Sequence, residues 1–163
     1  MRLQLYVVDT HAVLALPQLC RDESKHPLFF DGFTKMVKDG ALTFPDLVVK
    51  ECQKYAYGEN VYTWINAASG HRTQRAVPAQ WQESVLGTCE EILDMDGEME
   101  QVPVFVAAMA LMFKRQIPEV YVVTEDRLHL PERECLVEAC KKLDIATMTV
   151  RELAIESDLR DFL

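Results

Sequence analysis

Two short apolar runs in this chain end in acid. Leu5-Tyr6-Val7-Val8 leads into Asp9, and Val120-Tyr121-Val122-Val123 leads into Thr124-Glu125-Asp126. Both are rich in β-branched residues, the pattern of strands buried on two faces and hence of a parallel sheet covered by helices. Ligands of open α/β sheets sit outside the carboxyl ends of the strands. Carboxylates carried there by neighbouring strands lie close together, and their repulsion calls for a cation. The chemistry on offer is that of a hard divalent metal held by oxygen. Glu51 is a third candidate. It falls four residues after Leu47 and four before Tyr55, on one helical face with them. A glutamate on such a stripe either reaches solvent or an arginine at its edge, or binds metal, and the spacing leaves both open. Asp9 has a rival role as N-cap of a helix beginning at His11, and Asp126 as cap of a turn. The joint pattern of the acids favours the metal.

The elements that must position these residues follow from periodicity. A strand over residues 3–8 precedes a helix over 10–19, with Val13, Leu14 and Leu16 at helical spacing. A second helix follows Pro27 and stops at Asp39-Gly40. Pro45, suited to a first helical turn, opens the helix that carries Glu51. Residues 61–68 read as a short helix and 69–78 as a polar loop. Residues 81–94 read as helical, and Met95-Asp96-Gly97 as a turn. The apolar run 102–113 holds Ala107, Ala108 and Ala110, small enough for close packing on a sheet, and Lys114-Arg115 suit its last turn. After the strand 120–123, Leu130-Pro131 opens a helix through Leu143, followed by a strand over 145–148. Thr149-Val150-Arg151-Glu152 is a capping-box sequence for a last helix. Residues 156–163 are expected to fray or to dock on a partner. Strand-helix alternation of this kind predicts an α/β sandwich with a central parallel sheet.

Composition narrows the classes. The 163 residues suffice for a single domain with a full core, and 49% hydrophobic with 26% charged residues is ordinary for a globular protein. No apolar run approaches the ~20 residues that span a bilayer, and the N-terminus lacks a signal-peptide pattern, so no membrane and a cytoplasmic location are expected. Cys20, Cys52, Cys89, Cys135 and Cys140 are scattered and read as buried free thiols, with Cys135 and Cys140 on one helix. His11, His26, His71 and His129 are isolated, which argues against zinc. A net charge of −9 argues against a generic basic nucleic-acid binder, though not against a nuclease that meets phosphate through bound metal. Lys114-Arg115, and His71-Arg72 with Arg75, are local basic patches or plain solvated surface. Only six glycines are present and no Gly-rich loop follows either apolar run, which ranks a phosphatase or nucleotide-binding domain last.

In order and spacing, Asp9-Thr10, Glu51 in a Pro-initiated helix, the Ala-Ala-x-Ala run at 107–110, and Val122-Val123-Thr124-Glu125-Asp126 resemble a PIN domain over the whole chain. PIN domains are magnesium- or manganese-dependent ribonucleases and include the VapC-type toxins of toxin–antitoxin pairs. The likeness runs to stand-alone PIN-like proteins with a Val-Val-Thr-Glu-acid strand end. It implies a three-layer α/β/α sandwich spanning 1–163, with Asp9, Glu51 and Asp126 at three corners of an acidic quartet. Thr10 and Thr124 match the family's hydroxyl positions, with Glu125 beside them, and His11 stands where Asn is common. The family's acid at the start of the Ala-rich helix has no counterpart, because Val102-Pro103 stand there. Glu100 is the nearest upstream carboxylate, with Glu98 and Asp96 further off.

The resemblance implies that Asp9 and Asp126 bind Mg2+ or Mn2+ directly and that Glu51 acts through water or orients the nucleophile. Glu100 substitutes for the absent acid, or the site lacks that ligand. A metal there would activate water for in-line attack on an RNA phosphodiester. An antitoxin that covers the cleft or inserts an arginine, and a homodimer, are the partners implied. The alternative of another class is a catalytically degenerate PIN-fold protein that acts by binding RNA or protein.

Overall fold

The computed structural model describes residues 3–72, 76–94, 97, 100–128, 130–131 and 133–163. Arg75, Met95, Asp96, Glu98 and His129, named above, lie outside the described residues. Four parallel strands form one sheet in the order β2-β1-β3-β4, where β1 is Gln4–Val8, β2 Leu42–Thr43, β3 Glu119–Val123 and β4 Ala146–Met148. Helices pack around it in the α/β/α sandwich that the alternation predicts. The central pair is β1 and β3, in register from Gln4↔Glu119 to Val8↔Val123. After β1 the chain moves out to β2 on one side, and after β3 to β4 on the other. The two therefore flank the point where the winding reverses, the place where an open sheet leaves a crevice.

Eight α-helices are present among the described residues: α1 Thr10–Leu19, α2 His26–Lys38, α3 Asp46–Ala56, α4 Asn60–Ser69, α5 Ala79–Thr88, α6 Val102–Lys114, α7 Leu136–Lys142 and α8 Val150–Glu156. Helix α6 packs on β1 and β3. Its small residues Ala107, Ala108 and Ala110 are all fully buried, so the helix backbone approaches the sheet closely. Helix α1 packs against α3, α4 and α8. Phe29, Phe33 and Phe44 are the largest side chains buried in the core. The five cysteines are buried and free.

Four elements differ from their sequence-based bounds, each for a local reason. The two-residue strand β2 is too short to show a period. Pro45 precedes α3 as its N-cap residue rather than sitting in its first turn. The helical stretch 81–94 breaks at Cys89, whose non-helical backbone separates α5 from a 3-10 turn at Glu90–Ile92. The helix read from Leu130 begins only at Leu136, because the preceding segment folds back and bonds to Asp126. The C-terminus docks on the chain itself. Leu159 is buried, and Phe162, in a 3-10 turn at Arg160–Phe162, lies 5.6 Å from Phe29 between ring centres.

Of the two basic patches, Lys114, Arg115 and His71 are exposed and Arg72 is not. Arg72 is buried, donating to the carbonyls of Phe44 and Ser69 and pairing with Asp46 at 2.6 Å, which pins the start of α3. Lys114 bonds Asp144, and the Arg115 guanidinium lies 5.0 Å from the Trp81 ring.

Candidate functional site

Asp9 and Thr124 each follow the last residue of a central strand, and Val8 and Val123 are direct partners in the ladder. The Asp9 amide donates to Val123 O at 3.1 Å, and the Thr124 amide to Met148 O at 3.0 Å, so sheet pairing itself sets the backbone of the site. The Asp9 carboxylate is almost fully buried. Its Oδ1 accepts the Ala12 amide at 2.8 Å, which caps α1; the cap falls one residue earlier than a helix starting at His11 would place it. Its Oδ2 accepts the Thr124 hydroxyl. Burial pushes the Asp9 carboxyl up to about 6, while the Thr124 and Ala12 donors and His11 hold it down and the Asp126 charge pushes it further up.

Thr124 joins the two acids. Its hydroxyl donates to Asp9 and accepts the Asp126 amide at 2.9 Å. Asp126 in turn is the tie point of the loop behind it. Its Oδ2 accepts the Leu136 amide at 2.9 Å, its carbonyl accepts the Val137 amide at 3.3 Å, and Arg133 clasps both carboxylate oxygens at 3.0 and 3.2 Å. A bidentate guanidinium–carboxylate pair is the strongest form of this contact. Asp126 thus caps the start of α7 and carries a cation of the chain's own.

A cavity of about 560 Å3 opens over this edge of the sheet. Asp9, Glu51, Glu100 and Asp126 all line it, so four of the carboxylates picked out by sequence share one space. Leu47, Glu51 and Tyr55 lie together on its wall, with Leu47 also packed against the core. Glu51 is half-buried and makes no ion pair among the described residues. Val102 and Pro103 also line the cavity, and the first turn of α6 holds no acid. Glu100 stands beside them on the exposed rim. It is brought there by Gln101, whose side-chain amide accepts the Asp94 amide at 2.9 Å and donates to the Asp94 carbonyl at 2.7 Å.

Two of the supporting residues take different parts. Thr10 lines the cavity, and its hydroxyl is buried with no partner among the described residues. Glu125 turns away from the other acids to accept the Val150 amide at 2.9 Å, at the first turn of α8. Sequence reasoning missed Arg133, Lys50 and Lys54, all on the cavity wall. The lysines carry a faint signal, four residues apart and flanking Glu51. Arg133 carries none, since its place depends on how the loop after Asp126 folds.

The donor set is chemically right for a hard cation, all oxygen and mostly carboxylate. Its convergence is not. Among the described residues no three His, Cys, Asp or Glu side chains gather closely enough to hold a metal ion. Asp9 is engaged by two donors and Asp126 by Arg133 and an amide. As folded, the residues do not fit a closed metal centre. No helix of the described residues is long and apolar enough to cross a membrane. No protein-family model, curated protein or solved structure matches this chain.

Proposed function

We propose that this cavity is the cleavage centre of a PIN-like, divalent-metal-dependent endoribonuclease, acting in the cytoplasm as the toxin of a toxin–antitoxin pair. The observation that carries the reading is placement. Asp9 and Asp126 follow adjacent, paired strands at the point where the sheet's winding reverses, are linked through Thr124, and share one cavity with Glu51 and Glu100. Asp9 and Asp126 would be the direct ligands of Mg2+ or Mn2+, Glu51 a ligand through water, and Glu100 the replacement for the acid absent at Val102-Pro103. A divalent ion held there would supply an activated water and neutralise charge on the scissile phosphate. The chain itself supplies a dry carboxylate at Asp9, a hydroxyl clamp at Thr124, and lysines at positions 50 and 54 to meet a polyanion in a protein of net charge −9. An antitoxin and a second copy of the chain are the partners this reading calls for.

The test is cleavage of a mixed RNA pool with Mg2+ or Mn2+ by the wild type and Asp9→Asn side by side. Metal-dependent cutting that disappears in the variant is the expected result. A second reading, a PIN-fold protein that binds RNA or protein without cutting, is favoured by one observation: Arg133 already neutralises Asp126. Folded, partner-free wild type that cuts nothing with either metal would favour that second reading over the first.

A further inference from the structure

A second cavity, of about 200 Å3, lies at the end of the sheet opposite Asp9. Leu5 stands near the start of β1, Leu42 begins β2, Ile117 lies just before β3, and Phe113 is in the last turn of α6. These four give the cavity apolar walls at the amino ends of the strands. Thr43, the second residue of β2, also lines it. Thr43 is 7% exposed, and its hydroxyl is buried with no hydrogen-bond partner among the described residues. A buried hydroxyl left unpaired is uncommon and costly. The charge around the cavity is lopsided. Arg72 lines it with a side chain 2% exposed, while its partner Asp46 is 59% exposed. Lys38, at the end of α2, is exposed on the rim and makes no ion pair among the described residues. Asp39 is the only acid among the described lining residues, so two cations stand against one anion.

We infer that this cavity binds a small organic carboxylate with an apolar body. The body packs against Leu5, Leu42, Phe113 and Ile117, and a carboxylate oxygen accepts a hydrogen bond from the Thr43 hydroxyl, in the field of Arg72 and Lys38. Water alone answers such a space poorly. An ordered water needs two to four polar partners, and the apolar walls offer it none. Size agrees: an apolar cavity of about 150 Å3 is enough for a benzene ring, and the remaining room suits one acid group. A neutral ligand of the same shape makes only the weaker, uncharged hydrogen bond. An amine of that shape meets the like charges of Arg72 and Lys38. The cavity lies at the far end of the strands from Asp9 and Asp126. The inference therefore stands whether or not that other cavity takes metal or cuts RNA.

The experiment is titration of the isotope-labelled full chain with benzoate, followed by amide chemical shifts. Benzyl alcohol and benzylamine serve as the neutral and cationic counterparts. The expected result is saturable benzoate shifts at the amides of Leu42, Thr43 and Ile117, with both counterparts binding about tenfold more weakly. Thr43→Val keeps the shape and removes the hydroxyl. It should fold at least as stably as the wild type, because the lost group had no partner, and bind benzoate about tenfold more weakly. Lys38→Gln, at an exposed position, should weaken benzoate and leave benzyl alcohol unchanged. Ile117→Trp should fill the cavity and abolish the benzoate shifts. Should Thr43→Val fail to fold, the Lys38 and Ile117 variants carry the test. No saturable shift at millimolar benzoate would overturn the inference and leave a cavity that holds water only. Shifts that fall elsewhere on the chain would overturn it too. So would benzyl alcohol binding as tightly as benzoate, or unchanged benzoate binding in folded Thr43→Val or Ile117→Trp.

Discussion

Asp9 holds its charge at a cost. An aspartate in the unfolded chain titrates near 3.8, and burial in the folded chain pushes this one up to about 6. The native state therefore binds the proton more tightly. Stability from this group falls as pH rises from about 4 to about 6 and is level above that, a loss of about 3 kcal/mol. Asn caps helices as well as Asp does, and its amide can still bond Thr124. Asp9→Asn should therefore be more stable than the wild type at pH 8, by about 1–3 kcal/mol in urea unfolding, with the gap closing below pH 4. A less stable variant at pH 8 would mean that the charged form is satisfied better than its burial suggests. The same group was legible in sequence, as were Glu51, Thr124 and Asp126, because strand ends and a helical stripe are local patterns. Which oxygens are already engaged was not legible. That depends on Arg133, seven residues beyond Asp126 in a loop whose path only the folded chain defines.

Elements that carry their own start signals were the ones read correctly. Helix α1 runs over Thr10–Leu19 as its spacing predicts, and Asp9 supplies its cap. Helix α8 opens with the complete capping box, in which Thr149 Oγ1 accepts the Glu152 amide at 3.1 Å and Glu152 reaches back to the Thr149 amide at 3.3 Å. Thr149→Ala should cost about 1 kcal/mol and lower the melting temperature by a few degrees. No change would show that Glu125, which accepts the Val150 amide, caps the helix by itself. Elements whose limits are set by distant groups were misread. The delayed start of α7 follows from the grip of Asp126 on the loop before it, and the break at Cys89 is announced only by Gly87, inside the last turn of α5. The two-residue strand β2 exists because β1 is there to pair with it, at Tyr6↔Leu42 and Val7↔Thr43.

At the scale of the molecule, the last residues close the core. Phe162 packs on Phe29, and Leu159 covers Gly32 so closely that a Cβ there would meet its Cδ2 at 2.7 Å. Removing residues 159–163 should uncover the Phe29 side of α2 and cost about 2–4 kcal/mol, read as a lower urea midpoint. An unchanged midpoint would mean that this end adds contacts without stability. The outer strands of the sheet, Leu42–Thr43 and Ala146–Met148, are two and three residues long. A rim that short offers a foreign strand only about one or two backbone donor–acceptor sites, so growth edge to edge into a fibre finds no template. The sheet can stay apolar through its middle and still be safe at its borders. A second copy of the chain would have to join through side chains rather than by extending this sheet.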